Sequence, residues 1–397
     1  MELIPAFLKQ TRGELVPARV PVPHAATYSA QHKGLKSIIG AYRHTIDRAI
    51  HTYLKREIKN LPALGSPIVS LGYRSSRRAC FAAGKRLRPI LTMAAYRAVG
   101  GRNENAVLEP SLAFEFFHAY TLVHDDIYDE DDIRRNEPSV HAGLTAWFRN
   151  KHKKDARRRT LLYKNRAKRF GVVGGVLGGE CLHNICIGAI LNSKISLEKK
   201  IEGMKIYKEA AQADNACQLL DLALETEHLT ARKYRLLARY KSGKLMRAAV
   251  EWGAVLGGGS PSQRRALGAY AEHLGQAFQI KDDILDIGLR GEKGRPAGSD
   301  LREGKKTLLL LRALRVGSAS DRRDIARVFG KIDAPAGQIR RAIGVFERTG
   351  SVAYCERVAR RTITAGIAAL ETAQPAFRKD AKDFLVKLAK FTIDRTS

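Results

Sequence analysis

The sequence predicts an all-α fold, a single large helical bundle around a central cavity. Three observations lead there. Apolar residues recur at helical spacing, as in Leu35, Ile38, Ile39, Tyr42, Ile46, Ile50, Leu54 and Ile58. No run of alternating β-branched residues argues for a sheet. Two acidic clusters of the same spacing, Asp125, Asp126, Asp129 and Asp282, Asp283, Asp286, are each preceded by apolar residues. A bundle lets the two helices that carry them line one cavity.

Taken in order, residues 1–34 hold several prolines and little periodicity, which predicts an extended arm ahead of one helical domain over 35–397. Residues 35–60 form an amphipathic helix, and 61–79, with Pro62, Gly65, Pro67 and Gly72, a loop-rich passage. Gly84-Lys85-Arg86-Leu87-Arg88-Pro89 leads into a helix over 89–99. Long helices over 106–131 and 139–149 flank the first acidic cluster. From residue 170 onward the pattern is helical almost throughout, with turns at 192–193, 257–261 and 288–298. Residues 171–191 are the sole candidate membrane span. Glu180 and five glycines in the first half serve such a span poorly, so a packed core helix with close backbone approach is expected.

The formal net charge of +30 points to anionic partners: a membrane surface, nucleic acid or polyphosphate substrates. No basic motif interleaved with aromatics supports nucleic-acid recognition, and no nucleic acid is expected. Residues 149–169 carry eleven Lys or Arg against one Asp, about a third of the net charge. A solvated outer helix and loop is the plain reading, and contact with an anionic membrane surface is the alternative. The five cysteines, Cys80, Cys181, Cys186, Cys217 and Cys355, lack framework spacing and favour a reducing compartment. The first residues lack the basic start and apolar run of a signal peptide. The expected location is cytoplasmic, with a membrane-peripheral variant.

Asp125, Asp126 and Asp129 fall within about one 100° arc of a helix. Crowded carboxylates raise each other's pKa unless they share a cation. An all-oxygen set favours magnesium, calcium or manganese over zinc, and magnesium completes its shell with water and substrate phosphates. Arg134 and Arg135 follow at once as partners for phosphate.

With Lys85 to Pro89, the pair Gln218 and Asp221, and Lys241-Ser242-Gly243, all in order, the chain from about residue 40 onward resembles the trans-isoprenyl diphosphate synthases, or polyprenyl synthetases. The resemblance implies the isoprenoid synthase-type bundle and head-to-tail condensation of isopentenyl diphosphate with an allylic diphosphate through a carbocation. It implies Asp125, Asp129 and Asp282 as the main ligands of three magnesium ions, with Asp126, Asp283 and Asp286 assisting, and manganese as a substitute. It assigns Lys85, Arg88, His118 and Arg135 to isopentenyl diphosphate. It assigns Arg134, Lys241, Ser242, Gln279, Arg295 and Lys305 to the allylic diphosphate. A homodimer is common in the family. Departures are Ser242 for a usual Thr, Arg295 for Lys, Asn136 for Gly and Glu180 for Asp; none removes a required group.

In that family, residues before the first acidic motif set product length; here they are Phe117, Tyr120 and Thr121. Both rings also suit a plain core, and an ideal helical wheel puts Thr121 and Phe117 nearer the Asp arc than Tyr120. An aromatic at 120 with Thr following resembles enzymes that stop at fifteen or twenty carbons. The expected product is geranylgeranyl diphosphate, with farnesyl or longer chains as alternatives. A terpene cyclase is disfavoured because both acidic clusters and the Gly84–Pro89 pocket are present. An inactive, basic partner subunit is disfavoured because neither cluster is lost.

Overall fold

The structure, a computed structural model, describes residues 34–59, 75, 80, 84–134, 136–227, 230–288 and 297–394. The N-terminal arm, most of the passage over 61–79, Arg135 and Arg295 therefore lie outside the described residues.

The chain begins with α1 (Leu35–Lys59), α2 (Leu87–Ala98), α3 (Glu104–Ser111) and α4 (Ala113–Tyr128). A short ladder, β1 (Ile133–Arg134) with β2 (Glu137–Pro138), precedes α5 (Val140–Lys151). Then come α6 (Arg166–Leu191), α7 (Leu197–Thr226), α8 (Ala231–Ala238), a π-helical turn (Arg239–Gly243), α9 (Lys244–Leu256) and α10 (Pro261–Asp286). The remainder is α11 (Ser299–Arg302), α12 (Leu308–Val316), α13 (Ala319–Ala326), α14 (Ala336–Arg348), α15 (Ser351–Ala369) and α16 (Lys379–Asp394).

Periodicity becomes packing directly. On α1, Ile38, Tyr42, Ile46, Ile50, Tyr53 and Leu54 are buried, the stripe the sequence predicts. Each large apolar side chain so buried contributes roughly 1.5–3 kcal/mol, more than helix propensity supplies. Around the site, α4 lies on α6, α5 on α6, α9 on both α2 and α10, and α10 on α15. The long α10 starts with Pro261 behind a capping box of Ser260 and Gln263, which satisfies orphan amides at its N-terminus.

The helix expected over 106–131 is interrupted. It forms as α3 and α4, with Leu112 at the join and Pro110 inside α3. Proline has no amide hydrogen to give, and the Pro110 carbonyl accepts instead from the fully buried Trp252 indole at 2.9 Å. The small ladder also corrects the expectation of no sheet: Ile133 pairs Pro138 and Arg134 pairs Glu137. Asn136, in the turn between them, has φ 64°, a left-handed geometry that Asn tolerates and Gly adopts freely. That departure from the family pattern therefore preserves the turn.

Helix α6 packs as expected of its glycines. A Cβ on Gly179 would collide with the His124 ring, and one on Gly175 would lie 2.9 Å from Ile127. By length and composition α6 is the one helix among the described residues able to cross a membrane, and Val173, Val176 and Leu177 leave part of its far side exposed.

Candidate active site

The first acidic cluster sits at the C-terminal end of α4, where Asp129 is the capping residue and its amide donates to the Asp125 carbonyl at 2.8 Å. Each carboxylate has its own partner. Gln218 on α7 donates to Asp125 at 2.5 Å, Arg134 donates to Asp126 at 2.5 Å, and Lys305 donates to Asp129 at 3.1 Å. Asp125 keeps part of its surface open, whereas Asp126 is only 2% exposed. Arg134, expected on the allylic diphosphate, is thus turned onto Asp126 and fixes the loop after α4.

Helix α7 supplies a second row. Asp214, Gln218 and Asp221 share one face at spacings of four and three residues. Asp221 accepts from Lys241 at 2.5 Å. Burial works against the Lys241 charge, yet Asp221, Asp125 and Asp129 outweigh it and hold the ammonium above its ordinary range. Lys241 and Ser242 reach the site from the π-helical turn, where one extra residue per turn re-aims side chains. The turn fits because Gly275 of α10 faces Gly243 with no room for a Cβ.

The second cluster ends α10. Asp283 is 6% exposed and accepts from the Tyr234 hydroxyl at 2.6 Å and from Gln279 at 3.0 Å. Gln279 in turn accepts from Ser242 at 3.0 Å. The pair expected on the allylic diphosphate thus also forms one relay from the π turn to Asp283. Burial, then the nearby Asp300 charge, pushes the Asp283 carboxyl up to about 8, with Asp282 adding and Tyr234 and Gln279 opposing. Asp286 accepts from the Asp300 amide at 3.0 Å. Asp282 is half-buried on the same helix end.

Lys305 ties the two clusters together. Burial opposes its charge, but Asp129, Glu303 and Asp300 hold the ammonium above its ordinary range. Asp129 belongs to the first cluster, and Asp300 holds the last carboxylate of the second. Among the described residues no three acidic, His or Cys side chains stand close enough to hold an ion alone. Magnesium takes one or two carboxylates and leaves the rest of its shell to water and phosphate. The donor set is all oxygen, and Asp125 is raised first by burial and also by Asp129, with Lys241, Arg134 and Gln218 opposing, so a shared cation would relieve it.

The basic pocket divides by burial. Arg86 takes a left-handed backbone at φ 50° and is locked to Asp47 at 2.6 Å and Glu115 at 3.0 Å. Lys85 is exposed and Arg88 half-buried, so those two are the basic members of the motif that reach the surface. Arg88 lies close enough to Asp214 to lower its pKa. His118 is half-buried on α4.

Sequence reasoning missed the far side of this space. Phe117 is fully buried behind Tyr120, with ring centroids 5.5 Å apart, and Phe117 also meets Tyr207 of α7 at 5.6 Å. Tyr120 is half-buried and meets His124 at 4.7 Å and His183 of α6 at 5.2 Å. His183 and Tyr207 close the set at 5.4 Å. Thr121 is buried and donates to the His118 carbonyl at 2.9 Å. Of the three residues expected to set product length, Phe117 and Thr121 are buried and Tyr120 is the half-buried one. Its hydroxyl is pushed up to about 12, first by burial and then by Glu180 and Asp214.

Asp214 was also missed. Burial first, then Asp125, pushes its carboxyl up to about 7, while Lys241 and Arg88 oppose. An unfolded Asp ionises near 4, so between roughly pH 4 and 7 the folded protein keeps a proton that the unfolded chain has lost. Ionising Asp214 therefore weakens the metal-free fold as pH rises through that window. Asp214→Asn is expected to widen its melting-temperature advantage over the natural protein by a few degrees from pH 4 to 7. An advantage that does not change with pH in differential scanning would contradict this burial.

Two acidic helix ends linked through Lys305, with Lys241 and Arg88 near the first and an aromatic wall beside it, form in an all-helical frame an arrangement suited to a diphosphate carried on an apolar chain. The polyprenyl synthetase family model matches residues 71–345, and the chain belongs to that family. A short chain isoprenyl diphosphate synthase from Methanothermobacter thermautotrophicus is 32% identical over 324 residues, covering 81% of this chain and 90% of that protein. A geranylgeranyl diphosphate synthase from Methanosarcina mazei is 30% identical over 325 residues, covering 81% and 89%. The solved geranylgeranyl pyrophosphate synthase of Corynebacterium glutamicum, complexed with isoprenyl diphosphate and magnesium, superposes with a TM-score of 0.80 at 26% identity, covering 89% of this chain and 98% of that one.

Proposed function

We propose that the protein condenses isopentenyl diphosphate head-to-tail with an allylic diphosphate and makes geranylgeranyl diphosphate. The observation that carries the proposal is the link between the two acidic helix ends through Lys305, which donates to Asp129 and lies in the field of Asp300, whose amide holds Asp286. Asp125, Asp129 and Asp282 would hold magnesium, three ions in all with manganese able to substitute. Bound there, the metal supplies Lewis-acid neutralisation of the departing diphosphate. Lys241 and Lys305 add positive charge beside Asp129; by family resemblance Arg295 joins them on the allylic diphosphate, and Lys85, Arg88, His118 and Arg135 hold the second substrate. The allylic carbon–oxygen bond breaks and its electron pair leaves with diphosphate. The isopentenyl double bond then bonds to the allylic carbon, and the resulting cation loses a proton to the released diphosphate. Apolar and aromatic walls keep water from the cation.

The likeness to geranylgeranyl diphosphate synthases supports a stop at twenty carbons, with the half-buried Tyr120 over the buried Phe117 as the candidate floor. Residues 35–397 are taken as the catalytic domain. Val173, Val176 and Leu177 on α6, with Leu219 and Leu222 on α7, are exposed and support a homodimer that buries them. The described cysteines are free and mostly buried, in keeping with a reducing, cytoplasmic setting. The test is incubation with labelled isopentenyl diphosphate and each of dimethylallyl, geranyl and farnesyl diphosphate, followed by mass analysis of the dephosphorylated alcohols. A twenty-carbon alcohol from all three is expected. Products mainly of fifteen or of more than twenty carbons would reject the assigned length.

A further inference from the structure

The basic segment 149–169 is more than a solvated loop. Its two ends are clamped by aromatic packing: Trp147 stacks on Phe170 at 5.5 Å, Phe148 meets Phe170 at 4.8 Å, and His152 meets Phe148 at 4.7 Å. A 3-10 turn over Asp155–Arg157 tucks Ala156 into the protein at 2% exposure. The Arg166 amide then donates to the Arg158 carbonyl at 2.9 Å, which closes the loop on itself. Asp155, the segment's one acidic residue, is shared by Arg158 at 3.4 Å and Arg166 at 3.3 Å.

Inside that closed loop the tip is pinned. The Thr160 hydroxyl donates to the Tyr163 carbonyl at 2.8 Å and accepts from the Tyr163 amide at 3.1 Å. The two residues between are Leu161 and Leu162, at 104% and 88% exposure. A single exposed leucine is ordinary; two adjacent ones, held out by a hydrogen-bonded turn, are not. Arg157, Arg158, Arg159 and Lys164 flank them in the chain, all exposed, with Arg158 shared by Asp155.

We propose that this loop is a docking finger for an anionic lipid bilayer, in which Leu161 and Leu162 enter the acyl boundary and the surrounding Lys and Arg meet lipid headgroups. Apolar tip and basic collar together fit that partner. Nucleic acid would use the collar and leave both leucines in water. A second copy of the chain would bring two strongly positive collars together. The loop lies at the far end of α5 from His141, which contacts Asp132 beside the acidic cluster at 3.2 Å. Along a helix of that length the two ends are roughly 18 Å apart; at the segment's other end Lys168 reaches Asp132 at 3.7 Å, and none of the acidic-cluster carboxylates or Lys241 and Lys305 belongs to the finger. The benefit of such docking rests on the proposed lipid-like product, but the docking itself does not.

The test is co-sedimentation of the full chain with phosphatidylcholine vesicles, with and without phosphatidylglycerol. Binding to the anionic vesicles alone is expected, falling steeply with salt. Leu161→Ser with Leu162→Ser should weaken it about tenfold or more, with turnover on soluble substrates unchanged. Arg157→Gln with Arg159→Gln and Lys164→Gln should weaken it and flatten the salt dependence. Lack of binding to anionic vesicles would overturn the proposal, as would leucine variants that bind like the natural protein. Loss of the dimer in sedimentation velocity when only the leucines change would also overturn it, by making the pair a subunit contact. Salt-sensitive binding to a DNA duplex without vesicle binding would do the same. A chain that docks on vesicles yet makes no polyprenyl product would reject the proposed function and leave the finger standing.

Discussion

Asp125→Asn is expected to lower turnover by roughly 10²-fold or more, the scale of losing one electrostatic contact that strengthens in the transition state. Asp125 is open to the site, accepts from Gln218, and lies in the field of Lys241 and Arg134. Asparagine keeps the shape and one acceptor oxygen but removes the charge that would hold a divalent ion. The comparison with Asp283→Asn sharpens the expectation. Asp283 is buried in a closed network with Tyr234 and Gln279, and burial with the nearby Asp300 charge pushes its carboxyl up, toward the protonated form. Its two oxygens are already taken by Tyr234 and Gln279 and turned away from the open site, so the loss of turnover in Asp283→Asn should be clearly smaller. Equal losses in steady-state assays of the two folded variants would mean that Asp283 is a ligand of the same rank as Asp125.

Tyr120→Ala is expected to lengthen the product by one or more five-carbon units. Tyr120 is the half-buried ring in a wall that Phe117, His124, His183 and Tyr207 complete. Removing it opens space directly, and removing Phe117 with it deepens the opening toward Tyr207. Phe117→Ala alone removes a fully buried ring, so a stability cost of roughly 3–5 kcal/mol is the larger effect there. Mass analysis of the alcohols decides it. Unchanged length in the double variant would place the limiting wall on α6 or α7.

Much of this was legible before any coordinates. Periodicity gave most helices because their stability comes from burying one face, and that face is written in the sequence. The acidic clusters were legible because their spacing is local. What escaped was contributed across the fold. His183 and Tyr207 sit on helices that meet α4 only after packing, and nothing near them marks a wall. Asp214 carried a usable signal, since it shares a helix face with Gln218 and Asp221. The π turn at Lys241 had none, because it answers to the close approach of Gly275 and Gly243 from distant segments. Within the Gly84–Pro89 motif, charge alone does not separate Arg86, which is buried against Glu115, from Lys85 and Arg88. The break at Leu112 was marked by Pro110, which the apolar pattern on either side outweighed.

The most direct measurement supplies purified protein with farnesyl diphosphate and labelled isopentenyl diphosphate, in magnesium and in excess chelator, and weighs the product. With magnesium, one labelled unit should be added per diphosphate released, giving the twenty-carbon alcohol after dephosphorylation. In chelator the label should stay in isopentenyl diphosphate and return to product when magnesium is restored. Full turnover in chelator, or no labelled polyprenyl product with magnesium present, would contradict a metal-assisted prenyl transfer at these two acidic helix ends.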